Sequence, residues 1–271
     1  MQPAENDSAA RNEYCGMCIN DDHTFDTQLV SYVIGDLKRG KAAGFDDKTE
    51  PCRTPHSEPS TDSATTAEHL LFCHPTVCVV LAKLFQLIML RCYVPDGFIY
   101  SDIVPIPKPK KLFSKSLLCD DFRGIAISPI LSEVFKYCVL DRFSNYFCNT
   151  ANQFGFKNCV GCSFAIRTVR NIVDSYIGGG STANLCAIDL SKAFDKVNHH
   201  ALFLKLMKRH IPNELLNTLD TWLSGCYSCV KWLTVWSDMF QTGFSVRQGS
   251  VLSPFLFAVI LLTCVIKNAI L

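Results

Sequence analysis

Residues 185–199 read Leu185-Cys-Ala-Ile-Asp189-Leu-Ser-Lys-Ala-Phe194-Asp195-Lys-Val-Asn-His199. The first half is a short apolar run, which predicts a buried strand, and it delivers a carboxylate, Asp189, to its end. A second carboxylate, Asp195, follows six residues later. A strand that ends on an acid is one way to build a metal or catalytic site. Asp189 or Ser191 capping a helix that starts near Lys192 accounts for the same residues. On this stretch alone both readings stand.

The chain around it has 271 residues, 48% of them hydrophobic, enough for one large or two modest globular units. Its formal net charge of +1 gives no global attraction to polyanions, so any such contact must come from local basic clusters. The first residues, MQPAENDSAARNEY, lack the apolar core of a signal peptide, which predicts an intracellular protein, nuclear or cytoplasmic and not secreted. The 15 cysteines are then expected as reduced thiols. Cys-x-x-Cys pairs at Cys15/Cys18, Cys159/Cys162 and Cys226/Cys229 invite a zinc reading, but no pair has His or Cys partners at finger-like distance.

In chain order, residues 1–24 show no apolar periodicity and are expected to be a disordered terminus. Leu29, Val33 and Leu37 recur at helical spacing and run into the basic cluster Lys38, Arg39, Lys41, as suits a helix C-terminus. Residues 48–66, rich in Pro, Ser and Thr, read as a flexible insert. Leu81, Leu84, Phe85 and Ile88 predict a core helix, since Lys83, Gln86 and Arg91 interrupt the run of about 20 apolar residues that a membrane span needs. Residues 98–106 and 125–127 predict two strands of a hairpin whose connection carries Lys108, Lys110, Lys111 and Arg123. Such a cluster can grip phosphates, and it is equally explained as a solvated loop.

Ser128-Pro129 opens a helix with Leu131, Phe135, Cys138 and Val139 on its buried face. A further helix carries Val169, Ile172, Val173 and Tyr176, and Gly178-Gly-Gly leads from it toward residue 185. Leu202, Leu206, Leu215, Leu216, Leu219 and Trp222 predict two helices broken at Ile211-Pro212. Residues 230–241 alternate as strand or hairpin, and a glycine-containing turn at 247–250 feeds the apolar segment 255–271. Strands and helices are mixed without repeats, so the fold class is α+β.

Six segments in series resemble the reverse transcriptase domain of non-LTR (LINE-type) retrotransposons. They are Leu37-Lys-Arg-Gly-Lys-Ala-Ala-Gly44, Ile106-Pro-Lys-Pro-Lys110, Asp121-Phe-Arg-Gly-Ile-Ala-Ile127, Gln153-Phe-Gly-Phe156, Ala187-Ile-Asp-Leu-Ser-Lys-Ala-Phe-Asp-Lys-Val-Asn-His199 and Gly243-Phe-Ser-Val-Arg-Gln-Gly-Ser-Val-Leu-Ser-Pro254. The resemblance implies an RNA-directed DNA polymerase of right-hand architecture. Fingers and a partial palm would lie within 25–271, interrupted by the insert, with the thumb absent. It implies Asp189 as the catalytic acid and magnesium ligand, Phe194 as the screen for the sugar of the incoming nucleotide, and Gln248 and Gly249 as the turn lying against that nucleotide. Lys108 and Arg123 match the finger region that handles the triphosphate. RNA template, DNA primer, deoxynucleoside triphosphate and Mg²⁺ are the implied partners and cofactor.

The residue types suit that chemistry. Nucleotidyl transfer uses two Mg²⁺ ions roughly 3.5 to 4 Å apart, held best by carboxylates. A flat aromatic excludes a 2′-hydroxyl by bulk, and a glycine lets backbone approach a ligand closely.

The family's aromatic-x-Asp-Asp turn does not occur between residues 1 and 271. Asp21-Asp22, Asp46-Asp47 and Asp120-Asp121 lack the aromatic at the right offset. The expectation is therefore a C-terminally truncated domain that does not polymerise DNA by itself. Competing expectations are a non-catalytic nucleic-acid-binding remnant using Lys108, Lys110, Lys111 and Arg123, membrane attachment through 251–266, and a chain that does not fold stably.

Overall fold

The computed structural model describes residues 14–39, 65–73, 75–108, 117–147, 153–155 and 161–265. The expected insert lies outside the described residues apart from Thr65 and Thr66, and so do Lys110 and Lys111.

Helix α1 (Thr27–Gly35) starts where Asp26 accepts a hydrogen bond from the Leu29 amide at 2.7 Å, satisfying a donor that the first turn leaves open. Its buried residues Leu29, Val30, Val33 and Ile34 form one stripe. That stripe packs against α3 (Pro75–Arg91), which follows the short α2 (Ala67–Leu71). Helix α3 answers with Cys78, Leu81, Ala82, Phe85, Ile88 and Met89, again at spacings of three and four. Cys92, at φ +49°, turns the chain out of the helix.

The single turn α4 (Asp96–Ile99) then hands the chain to the sheet. Strand β1 (Tyr100–Pro107) pairs antiparallel with β2 (Phe122–Ile127), in register from Asp102 opposite Ile127 to Pro107 opposite Phe122, the hairpin that the sequence predicts. On its other side β1 pairs parallel with β3 (Tyr227–Trp232), with Tyr100 opposite Tyr227. Strands β4 (Val235–Trp236) and β5 (Phe240–Gln241) pair antiparallel with the two ends of β3. The long connection from β2 to β3 contains α5 (Ile130–Arg142), α6 (Ser144–Phe147), α7 (Cys162–Gly178), α8 (His199–Met207) and α9 (Asn213–Ser224). The last described element is α10 (Ser253–Val265). Mixed helix and sheet make the class α+β, and no described helix is long and apolar enough to cross a membrane.

A cluster of aromatic rings lies within a largely aliphatic core. Phe25, Phe85, Phe98, Phe135, Phe143 and Trp222 pack ring against ring at centroid separations from 5.1 to 6.5 Å. Such pairs add about 0.5–1.5 kcal/mol each beyond the area they bury. Trp222 also donates its ring N–H to the Phe98 carbonyl at 3.2 Å, fixing α9 to α4, just ahead of β1.

Two expectations change. Residues 14–19, part of the terminus expected to fray, lie against the start of α9 instead: the Tyr14 hydroxyl donates to the Ile211 carbonyl, and Asn213 and Glu214 accept from the amides of Gly16 and Ile19. Polar contacts hold them, which is why apolar periodicity gave no signal. Residues 185–190, expected as a buried strand, form neither helix nor strand, and Leu185 and Ile188 are 72% and 85% exposed. Their backbone has no ladder partner among the described residues, and an isolated strand has nothing to bury against. Helix α7 forms as its spacing predicts but buries no residue. Phe164, Val169, Ile172 and Tyr176 are all exposed.

Candidate functional site

The second half of the opening stretch makes contacts with the rest of the fold. Phe194 lies in a short 3-10 turn, Phe194–Lys196, whose Phe194 carbonyl accepts from the Val246 amide at 3.0 Å. The Val197 carbonyl accepts from the Ser245 amide at the same distance, and His199 Nε2 donates to the Ser245 carbonyl at 2.7 Å. Three contacts therefore pin 194–199 to the segment just before the 247–250 turn. The Phe194 ring stacks on Phe257 of α10, centroids 5.0 Å apart and planes 25° from parallel, which fixes its orientation.

The turn itself docks on β2. The Gln248 carbonyl accepts from the Ala126 amide at 2.7 Å, and Gly249 sits at φ +116°. A Cβ on residue 249 would lie 2.7 Å from the Ala126 carbonyl oxygen, so only glycine lets these two backbones approach. Arg123, exposed on the same strand, lies three residues away from Ala126.

Beneath the turn is a charge cluster that the sequence did not flag. Arg247 reaches inward and donates to the carbonyls of Phe98 and Tyr227, each at 3.4 Å, and to that of Ile99. Lys136 of α5 is buried, paired with Glu133 at 2.8 Å and bonded to the Ser128 hydroxyl at 3.2 Å, with its ammonium 5.3 Å from the Trp222 ring. The other Glu133 oxygen accepts from the Val251 amide at 3.3 Å, so one carboxylate joins α5 to the far side of the turn. Burial pushes the Lys136 ammonium below the usual lysine range despite Glu133, and burial likewise lowers Arg247.

Lys108 ends β1, with its Nζ on the Asp120 carbonyl at 2.6 Å; the Asp120 carboxylate in turn pairs with Lys192 at 2.7 Å. The structure thus joins Phe194 with Val246, just ahead of the turn that docks on β2, and Lys108 with Lys192 of the 191–193 turn through Asp120. Asp189 is exposed and joins none of these contacts. Magnesium bound by protein needs oxygen ligands and keeps several waters. Among the described residues no three His, Cys, Asp or Glu side chains converge, so the donors present do not fit a two-ion site. Among the described residues, Cys226 and Cys229 are buried in the core, donating to the Trp222 carbonyl and to Asp102, while Cys159 lies outside them.

A glycine-bearing turn docks on one strand of a hairpin, the segment leading into it holds residues 194–199, and Lys108 follows the hairpin's other strand. The chain belongs to the reverse transcriptase (RNA-dependent DNA polymerase) family, matched over residues 106–267, and within it to the domain type of LINE-like elements. It is 25% identical over 221 residues to the "Probable RNA-directed DNA polymerase from transposon X-element" of Drosophila melanogaster, covering 77% of this chain and 24% of that protein. It is 26% identical over 202 residues to the "RNA-directed DNA polymerase from mobile element jockey" of Drosophila funebris, covering 70% of this chain and 21% of that protein. The chain spans about a quarter or less of the length of these relatives.

Proposed function

We propose that residues 25–271 are the fingers and part of the palm of a reverse transcriptase, with an insert at 48–66, and that the pocket between β2, the 247–250 turn and Phe194 receives a deoxynucleoside triphosphate opposite an RNA template and DNA primer. The carrying observation is the Gln248–Gly249 backbone docked on Ala126, with Val246 just ahead of it bonded to the Phe194 carbonyl. In this reading Phe194 screens the sugar, Gln248 and Gly249 form the pocket floor, and Lys108 and Arg123 face the phosphates. Asp189 is the acid to which magnesium belongs, but one exposed carboxylate does not assemble the catalytic centre. Residues 1–271 by themselves therefore bind nucleotide without extending a primer.

Equilibrium binding of a fluorescent deoxynucleoside triphosphate and its ribonucleotide counterpart tests the pocket. The wild-type chain favours the deoxy form, and Phe194→Ala narrows the difference; equal affinity for both sugars in the wild type overturns the reading. A primer-extension assay tests the second part. Template-dependent extension that Asp189→Ala abolishes would show the chain to be an active polymerase.

A further inference from the structure

Two segments distant in sequence meet at one carboxylate. The β1–β2 hairpin closes through the Lys108 amide on the Asp121 carbonyl at 2.8 Å. The Asp121 side chain is used within the turn, accepting from the Leu118 amide at 3.0 Å. Asp120 faces outward instead, and its carboxylate holds Lys192 at 2.7 Å while its carbonyl holds Lys108 at 2.6 Å. Two ammonium groups, one from the hairpin and one from the 191–193 turn, are thereby gathered around one acidic residue. The pairing lowers the Asp120 carboxyl, chiefly through its hydrogen bond to Lys192 and also through Lys108, and raises Lys192; Asp195 adds to the latter.

Both partners are largely exposed, with the Lys192 and Asp120 side chains at 60% and 76%. Water and salt screen such a pair, so it contributes little to holding the fold together and opens at low cost. A compact ligand with several negative charges gains more from two converging ammonium groups than one carboxylate does. A phosphodiester carries one charge per phosphate and gains less. Resting on the nucleotide reading above, we propose that Asp120 is a built-in stand-in for phosphate. It holds Lys192 beside Lys108 in the empty protein and is displaced by a nucleoside triphosphate, so that Lys192 contacts the triphosphate and Asp120 opposes its binding.

The sign of the effect separates this role from a structural one: removing a stabilising partner loosens binding, whereas removing a competitor tightens it. Titration of the full chain with inorganic tripolyphosphate, and separately with the fluorescent deoxynucleoside triphosphate, reads it directly. Asp120→Asn binds both about fivefold more tightly, and Lys192→Gln binds both about fivefold more weakly. The double variant matches Lys192→Gln, because the brake has nothing left to hold. Unchanged or weaker binding by Asp120→Asn overturns the inference, as does absence of tripolyphosphate binding in every variant. A larger response with a single-stranded oligonucleotide than with tripolyphosphate also overturns it, assigning the lysines to nucleic-acid backbone. If the sugar preference appears but Asp120→Asn changes nothing, the latch fails and the pocket stands. If tripolyphosphate responds as expected with no sugar preference, the latch stands and the polymerase reading fails.

Discussion

Substituting Gly249 by alanine places a methyl group 2.7 Å from the Ala126 carbonyl oxygen, on a backbone with φ at +116°. An L-residue held in that region costs about 1–3 kcal/mol. Relief of the overlap requires the turn to move off β2, which breaks the 2.7 Å bond between the Ala126 amide and the Gln248 carbonyl and removes a further ~0.5–1.5 kcal/mol. Together Gly249→Ala destabilises the chain by about 1.5–4.5 kcal/mol. The assay is urea unfolding followed by tryptophan fluorescence, with unchanged slope and a lowered midpoint. Gly243→Ala is the internal reference, since a Cβ there meets nothing within 4 Å. If the two alanine variants unfold within about 0.5 kcal/mol of each other, the close approach of turn and strand does not exist in solution.

Glu133→Gln leaves Lys136 buried without its carboxylate and costs about 3–5 kcal/mol by the same unfolding measurement; Glu133→Gln with Lys136→Met recovers part of the loss, and equal loss in both refutes the charge argument. Burial pushes the Cys138 thiol from 9.0 up to about 12, with Asp141 and Asp26 raising it further and Arg142 lowering it. Because the folded value exceeds the unfolded one, the folded state keeps a proton that the unfolded state loses. That stability is fully present below pH 9.0 and is lost progressively as pH rises toward about 12, and Cys138→Ala flattens the decline in unfolding midpoints measured across that window. A Cys138→Ala curve parallel to wild type would contradict the burial of the thiol.

Local signals exposed much of the fold. The β1–β2 hairpin, the helices α1, α3, α8 and α9, and the break at Pro212 follow from periodicity and from proline, which act within a few residues. Asp189 is the opposite case. The run before it has strand-like composition, but a strand is made by its neighbours, and 185–190 have none among the described residues. The Lys136–Glu133–Arg247 cluster escaped because isolated charged residues carry no periodic signal. A trace existed nonetheless: Lys136 shares the buried stripe of α5 with Ser132, Phe135 and Val139, where a solvated lysine does not belong. The Asp120–Lys192 pair joins residues 72 apart in sequence, and no pattern in either segment announces the other.

Strand β2 is the outermost strand of its sheet, with β1 on one side only. Outer strands present unpaired amides and carbonyls that can recruit a strand from another molecule. By taking the Ala126 amide, the 247–250 turn closes one rung of that edge from within the chain. The glycine that lets backbone meet backbone therefore also covers one hydrogen-bonding position of an open sheet edge.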